Sequence, residues 1–87
     1  SIKDLKIAIL NLDKIQMFIN KKKLNSNEVI NVNTLKKLKI INKNSKILKI
    51  LGKGEIKDKV NIQADLISKS AIEKLKKIGG SIQINKK

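Results

Sequence analysis

The apolar residues of this chain occur in short runs, and a polar turn follows each run within a few residues. None of the runs approaches the ~20 consecutive apolar residues that a membrane-spanning helix needs. Runs this short can form only short strands or short helices. The chain has 87 residues, which suffice for one small domain. We therefore predict a single domain over residues 1–87, built from many short elements around a thin core.

Five segments have the composition of short strands, because aliphatic and β-branched residues dominate them. They are residues 6–12, 28–32, 46–51, 60–64 and 82–84. In the second segment Val29 and Ile30 are adjacent, so the pattern does not decide which of the two faces the core. Helical segments lie between most of these strands, in the order strand, helix, strand, helix, strand, strand, helix, strand. This order predicts an α/β domain.

The first two helices are short and have candidate caps. Asp13 can cap a helix that runs through Phe18, since its carboxylate can accept hydrogen bonds from the free amides of the first turn. Asn33 or Thr34 can cap a second helix, which carries Leu35 on its apolar side.

The last helix has the clearest signals at both ends. Ser68 or Ser70 can cap it, and Ser70 with Glu73 fits a capping box. Gly79-Gly80 supplies a left-handed terminator, a conformation that side chains disfavour. The apolar stripe at helical spacing consists of Ile67, Ala71, Leu75 and Ile78.

The net charge favours polyanions as partners. Twenty-one basic residues, all of them lysine, oppose seven acidic residues and give a net charge of +14. Nucleic acid is the first candidate partner, and an anionic membrane surface is the second. A lysine lacks the planar fork of arginine, so it favours phosphate contacts over the reading of base edges. Phe18 is the one aromatic residue and is expected in the core, so stacking on bases has little support.

The lysines expected to contact phosphate lie in polar turns and on helix surfaces. Lys69 would stand in the first turn of the last helix, where a positive side chain opposes the helix dipole. That position becomes favourable if a phosphate binds the same helix start. The candidate RNA-binding residues are Lys21, Lys22, Lys23, Lys36, Lys37, Lys53, Lys69 and Ser70.

Gly52-Lys53-Gly54 invites comparison with a phosphate-binding loop, but its spacing is wrong. A P-loop has four residues between its glycines, then Lys and Ser or Thr, where a strand leads into a helix. Here a strand follows, so a nucleotide site is not predicted. Two interpretations stay open. The glycines can serve a tight connection that needs positive φ, or Gly52 and Gly54 can let an RNA backbone approach closely, with Lys53 at the tip.

Catalysis has little support in this composition. The chain has no His and no Cys, so a nucleophile would need a lysine or a carboxylate as its base. The seven acidic residues are scattered along the chain and show no metal-ligand spacing. We predict no catalytic residue, no metal, no cofactor and no small-molecule substrate.

Residues 49–56, Lys-Ile-Leu-Gly-Lys-Gly-Glu-Ile, resemble the signature of the large-subunit ribosomal protein fifteen family. The similarity continues, at matching spacing, with Val60-x-Ile62, with Ile67-Ser68-x-x-Ala71-x-x-x-Leu75 and with Gly79-Gly80. Upstream, residues 7–13 and 32–36 resemble the earlier strand–helix units of that family. The resemblance covers roughly residues 6–84.

This resemblance implies an irregular superhelix of strand–strand–helix turns, shared with a related archaeal and eukaryotic ribosomal protein of the L-eighteen-e type. It also implies a structural constituent of the large ribosomal subunit, which binds ribosomal RNA and neighbouring ribosomal proteins and supports assembly. No enzyme activity or cofactor is implied. Family members carry a long N-terminal arm rich in glycine and arginine, and this chain shows none, so we expect it to represent the C-terminal globular part.

The composition also bears on the source. Abundant Lys, Asn and Ile without Arg, together with the missing arm, suggest a ribosome in an organelle or in the cytoplasm of a reduced, AT-rich organism.

Two other classes of function stay open. A free-standing basic module could bind anionic membrane or another nucleic acid, but membrane docking needs a helix with a wide apolar face and interfacial aromatic residues. The stripe of the last helix is narrow and carries no aromatic residue. A small enzyme is the third class, and the lack of His, Cys and any carboxylate pair makes it the weakest.

Overall fold

The computed structural model describes residues 6–85, which form nine short elements. The strands are β1 (Ile7–Asn11), β2 (Val29–Ile30), β3 (Ile47–Leu51), β4 (Asn61–Ala64), β5 (Leu66–Ile67) and β6 (Ser81–Ile84). The helices are α1 (Leu12–Asn20), α2 (Val32–Lys37) and α3 (Lys69–Lys77).

Successive strands alternate between two three-stranded sheets. Sheet A has the order β1-β3-β5 and sheet B the order β2-β4-β6, and every pair is parallel. Because parallel neighbours need a crossover connection, the chain leaves one sheet, adds a strand to the other and returns. Each winding thus contributes one strand to each sheet, and the first and third windings also carry helices. This superhelical arrangement confirms the predicted α/β class.

Strand β5 is absent from the prediction made on the sequence. It consists of Leu66 and Ile67, which pair with Lys49 and Ile50 of β3. The apolar pattern assigned Ile67 to the stripe of the last helix, whereas the structure places it in the strand before that helix. A strand of two residues has no periodicity of its own, so only its pairing with β3 reveals it.

The two sheets and the three helices enclose one apolar core. Its buried members are Ala8, Leu10, Leu12, Ile15, Leu24, Ile30, Leu35, Leu48, Ile50, Ile56, Val60, Ile62, Ala64, Ala71 and Leu75. In β1, Ile7 and Ile9 face away from this core. In β2, Ile30 is buried and Val29 is exposed, which decides the orientation that the sequence left open. Phe18 packs partly buried against the core, in line with the prediction.

Helix α1 begins one residue earlier than its predicted cap allows. The chain passes directly from β1 into the helix, and Asn11 occupies the N-cap position without a side-chain cap bond. The prediction of Asp13 as the cap is therefore wrong. Asp13 lies in the first turn, where a negative side chain interacts favourably with the helix dipole.

Helix α2 is capped by Asn31. Its side-chain Oδ1 accepts a hydrogen bond from the backbone N–H of Thr34 at 2.9 Å, which satisfies one of the free amides of the first turn. The prediction of Asn33 or Thr34 as the cap is wrong, because both residues already lie inside the helix.

Helix α3 is capped by Ser68, one of the two serines that the sequence offered. The Oγ of Ser68 accepts from the backbone N–H of Ala71 at 3.2 Å. Ser70 is the second residue of the helix, so the predicted capping box between Ser70 and Glu73 is wrong.

The glycine pair ends α3 as predicted. Gly79 has a φ of +76°, and its N–H donates to the carbonyl of Lys76 at 3.0 Å, while the N–H of Gly80 donates to Leu75 at 2.8 Å. These two bonds define a Schellman motif, which satisfies carbonyls that the helix end leaves free.

Helices α1 and α2 end with the same pair of hydrogen bonds, but a lysine occupies the left-handed position. Lys22 and Lys39 each have a φ of 60°, and each is followed by a residue whose N–H closes the motif. The left-handed conformation crowds a Cβ atom against the backbone, so both helix ends carry local backbone strain that glycine would relieve.

We therefore expect opposite effects from two neighbouring substitutions. Lys39→Gly should raise the free energy of unfolding by about 0.5–1 kcal/mol, because glycine adopts positive φ without strain. Lys37→Gly, inside the last turn of α2, should lower it by about 0.5–1 kcal/mol, because glycine is a poor helix former. Both variants lose one positive charge. Urea unfolding followed by far-ultraviolet circular dichroism measures the difference, and equal shifts in the two variants would contradict the backbone explanation.

Candidate nucleic-acid interface

The carboxyl ends of the sheet A strands meet at one edge of that sheet, where several predicted site residues follow them. β1 leads into α1, β5 leads into α3, and β3 leads into residues 52–54, here named the glycine turn. Because the three strands are parallel neighbours, their exits lie together. The glycine turn, with Lys53 at its centre, therefore lies beside Lys69 and Ser70 at the start of α3.

The two glycines of the turn are required by contacts within the chain. An ideal Cβ on Gly52 would lie 2.1 Å from Ser70 Oγ and 2.6 Å from the backbone nitrogen of Ala71. Gly54 has a φ of +85°, and a Cβ there would lie 2.2 Å from the Cβ of Asp13. The predicted positive φ is thus correct for Gly54. At Gly52 the reason is different, namely the close packing of its buried backbone against α3.

Backbone carbonyls of the glycine turn are bonded by the protein itself. The Nζ of Lys74 donates to the carbonyl oxygen of Gly52 at 2.7 Å and to that of Gly54 at 2.8 Å. The backbone N–H of Asp13 donates to the carbonyl of Lys53 at 3.1 Å. Lys74 was not singled out from the sequence, where it is one lysine among many. Only the packing of α3 on the turn gives it this role.

Gln16 fastens the chain that follows the turn. Its buried side-chain Oε1 accepts from the backbone N–H groups of Lys57 and Asp58 at 2.7 and 3.2 Å. Its Nε2 donates to Asp58 Oδ2 at 2.7 Å and to Asn20 Oδ1 at 2.9 Å. The glycine turn and the segment after it are therefore held on α1 and α3 by hydrogen bonds at both ends.

With its backbone fixed, the turn directs its lysine outward. Lys53, Lys69 and Ser70 are exposed. The first-turn amides of α3 have no partner within the helix, and a helix N-terminus carries partial positive charge. Together the turn lysine, Lys69, Ser70 and this helix start form what we name the glycine-turn cluster. Its groups suit an anionic oxygen such as that of a phosphate.

A further lysine lies at the same edge. A cleft of about 370 Å³ is lined by Asn11, Asp13, Lys14, Met17 and Lys53. Lys14, an exposed residue of α1, was missed by the sequence reading. Its position beside the cluster depends on the contact between α1 and the glycine turn, which no local pattern reveals.

Lys21, Lys22 and Lys23 lie at the opposite end of α1. A helix of nine residues is about 13 Å long, so this run is remote from the glycine turn. All three lysines are exposed, and the Nζ of Lys23 lies 5.7 Å from the ring centre of Phe18. The structure gives the run an exposed position and does not join it to the glycine-turn cluster.

Lys36 and Lys37 lie in the last turn of α2, beside sheet B. Lys37 is exposed, whereas Lys36 is half-buried and lines a cleft of about 350 Å³. Lys46 lies on the same cleft and was missed by the sequence reading, because only the return of the chain from sheet B to sheet A brings it there.

A chain of amide side chains crosses the same cleft. The Nδ2 of Asn31 donates to Gln63 Oε1 at 3.4 Å, and the Nε2 of Gln63 donates to Asn85 Oδ1 at 3.1 Å. The Nδ2 of Asn85 donates to Asp65 Oδ1 at 3.2 Å, and Asp65 Oδ2 accepts from the backbone N–H of Leu48 at 2.8 Å. These bonds tie the end of sheet B to β3, so the cleft beside Lys36 is a rigid, polar surface.

The predicted site residues therefore fall into three places, at the glycine turn, at the end of α1 and at the end of α2. Within residues 6–85, no group of three or more His, Cys, Asp or Glu side chains is placed to hold a metal ion. No helix in this part of the chain is long and apolar enough to cross a membrane.

The fastening of the glycine turn gives a direct test. Lys74→Met keeps most of the aliphatic stem but removes the donor to two carbonyls, so we expect the free energy of unfolding to fall by about 1–3 kcal/mol. Lys76→Met, two residues away and exposed, should change it by less than about 0.5 kcal/mol. The measurement is urea unfolding of both variants. Equal stability of the two would show that the Lys74 bonds contribute nothing net.

Comparison with known proteins points to one family. A family model for the ribosomal proteins 50S-L15 and 50S-L18e and their 60S counterpart matches residues 9–83. The "Large ribosomal subunit protein uL15" of Pelagibacter ubique (strain HTCC1062) is 71% identical over 80 residues, which are 92% of this chain and 52% of that protein. The proteins of the same name from Borreliella afzelii and Bradyrhizobium diazoefficiens are 40% and 38% identical, over 92% and 88% of this chain.

The chain spans about half the length of these curated relatives. The family model nevertheless covers nearly all of both sheets and all three helices, and it includes the glycine turn and the glycine pair after α3. The resemblance inferred from the sequence motifs is thereby confirmed, and the chain belongs to the uL15 family of large-subunit ribosomal proteins.

Proposed function

We propose that this chain is a non-catalytic structural constituent of the large ribosomal subunit, which binds ribosomal RNA through lysine–phosphate contacts and supports subunit assembly. The observation that carries the proposal is the family match over residues 9–83. The net charge of +14 supports it, because a surface so basic attracts polyanions and repels itself in the free protein.

The glycine-turn cluster is the part of the surface that best fits phosphate. Lys53 and Lys69 supply charge, and the start of α3 supplies amide donors and the positive end of a dipole. The bonds from Lys74 hold the turn in place before RNA arrives, so binding does not have to order it. In this proposal Ser70 adds a hydroxyl donor, and Lys14 adds a second charge from α1.

The lysines at the ends of α1 and α2 complete the proposed interface. Lys21 to Lys23 and Lys37 are exposed and can neutralise phosphates without losing hydrogen bonds within the protein. Lys36, with Lys46 across the polar cleft, offers a second pair of charges. Since RNA recognition by lysine depends on the backbone, we infer that RNA shape, more than base identity, decides where the protein binds.

Gly52 and Gly54 were also predicted to let RNA approach the backbone closely. The contacts of Gly52 with α3 and of Gly54 with Asp13 already require glycine at both positions. The proposal therefore assigns RNA contact in this turn to Lys53, and a close approach by RNA stays a prediction for the half-exposed Gly54.

The alternative of a membrane-binding module has less support. Docking on a bilayer needs a free apolar helix face, whereas Ala71 and Leu75 of α3 are buried in the core. We infer that the protein resides in the ribosome, with neighbouring ribosomal proteins as further partners. An origin in an organelle or in a reduced, AT-rich organism stays a prediction from composition, and the bacterial relatives named above do not add to it.

The first test of this proposal is the position of the protein in a sucrose gradient of its source cells. At moderate salt we expect mass spectrometry to find it in the large-subunit fractions, at one copy per subunit. Recovery in soluble or membrane fractions instead would overturn the ribosomal assignment.

The proposed contacts are tested by the salt dependence of binding to protein-free large-subunit RNA. If about six phosphates are neutralised, the log–log slope against salt should be roughly −4 to −5. Lys53→Gln combined with Lys69→Gln should make that slope shallower by about 1.5–2. A matched double variant with the same charge, Lys43→Gln with Lys76→Gln, should leave it nearly unchanged. Equal slopes in the two double variants would remove the glycine-turn cluster from the interface.

A further inference from the structure

The outer face of sheet A is apolar, although it faces away from the core. Ile7 is 47% exposed, Ile9 56% and Leu66 50%. Ile47 and Leu51 of the central strand β3 are half-buried between them. Parallel sheets are normally covered on both faces, and large exposed apolar patches mark interaction sites.

The register of the strands makes this patch continuous. Ile7 pairs with Ile47, and Ile9 pairs with Lys49, which pairs in turn with Leu66. Paired residues of neighbouring strands point to the same side of a sheet. Lys49 therefore lies at the centre of the patch, with aliphatic side chains on both sides of it. We name these residues and Leu51 the apolar sheet face.

Sheet B shows that such a face is not a general feature of this fold. Its outer positions carry mainly amide and hydroxyl side chains, with Asn61 paired to Ser81 and Gln63 paired to Gln83. Val29, at the edge of the sheet, is the one aliphatic residue that shares this face along the described strands. The two sheets have the same number of strands and the same parallel pairing, yet a continuous aliphatic face occurs on sheet A alone.

The chemistry of the face selects among possible occupants. Along the described strands of sheet A, Lys49 is the one charged side chain that points outward, so the face suits RNA poorly. A second copy of this chain would add another +14 and, across a two-fold axis, would oppose the same lysine-centred patch. A different protein with aliphatic side chains around one carboxylate complements both the apolar strands and the lysine.

We propose that the apolar sheet face docks a neighbouring protein, and that a carboxylate of that protein pairs with Lys49. This inference rests on the proposed function, because the partner would be another protein of the same ribosomal particle. It assigns separate tasks to separate surfaces. The glycine-turn cluster and the helix ends hold RNA, while the outer face of sheet A holds protein.

Site-specific photo-crosslinking in the full protein tests the proposal. A benzophenone amino acid replaces Ile9 in one variant and Gln83, on the outer face of sheet B, in the matched control. Cells producing each variant are irradiated, and gradient fractions are digested with ribonuclease and analysed by mass spectrometry. We expect the Ile9 probe to join one peptide of a different protein, and the Gln83 probe not to join that peptide. A crosslink from Ile9 to RNA, to a second copy, or to nothing would overturn the proposal.

A charge reversal tests the role of Lys49. Lys49→Glu should reduce crosslinking from Ile9 on the order of tenfold, because like charges would then oppose each other at the centre of the face. Lys43→Glu changes the net charge equally at an exposed loop position and should leave crosslinking unchanged. An equal loss in both variants, or no loss in either, would overturn the carboxylate pairing.

The same experiment separates this inference from the proposed function. If the protein co-migrates with large subunits but Ile9 crosslinks only RNA, the docking proposal fails and the ribosomal function stands. If the protein stays outside ribosomal fractions while Ile9 still crosslinks one other protein, the docking surface stands and the ribosomal function fails.

Discussion

The first turn of α3 lies against the backbone of Gly52 so closely that no side chain on residue 52 would fit. This contact brings the third winding of the superhelix onto the second. It allows the Nζ of Lys74 to reach two carbonyls of the glycine turn, and it sets Lys53 beside the start of α3. A larger residue at position 52 would push α3 outward and disturb the buried positions of Ala71 and Leu75 as well. The candidate RNA surface and the core thus depend on the same missing Cβ.

The signature shared with ribosomal relatives has a physical explanation at most of its positions. Gly52 and Gly54 are needed for close packing and for positive φ, and Ser68 caps α3. Gly79 ends that helix in the left-handed conformation. Several of these requirements concern the way one winding lies on the next. They explain why a short motif can identify the fold of nearly the whole described chain.

Much of this could be predicted from the sequence, and the failures have physical causes. The alternation of short strands and helices, the end of α3 at Gly79 and the resemblance to the family were all accessible from local patterns and motifs. The orientation of β1 was not, because residues 7–10 are all apolar and only the tertiary structure decides that Ile7 and Ile9 face outward. Strand β5 is too short to show a period.

Side-chain roles at the site were harder to predict than the elements that carry them. Asn31, Gln16 and Lys74 act through hydrogen bonds to residues that are distant or only recently turned from a strand. In the sequence they are ordinary polar residues. The lysines predicted to bind phosphate were chosen on charge alone, and the structure divides them among three separate places. Charge composition indicates the class of partner, whereas the folding of the chain decides which charges can act together.

The order of strands within each sheet has a consequence for how this fold can form. In both sheets the strands follow their order in the chain, from β1 to β5 and from β2 to β6. Each new strand therefore joins an open edge, and none has to be inserted between two strands that are already paired. A chain that leaves the ribosome from its N-terminus can add each winding to the one before it as soon as that segment emerges.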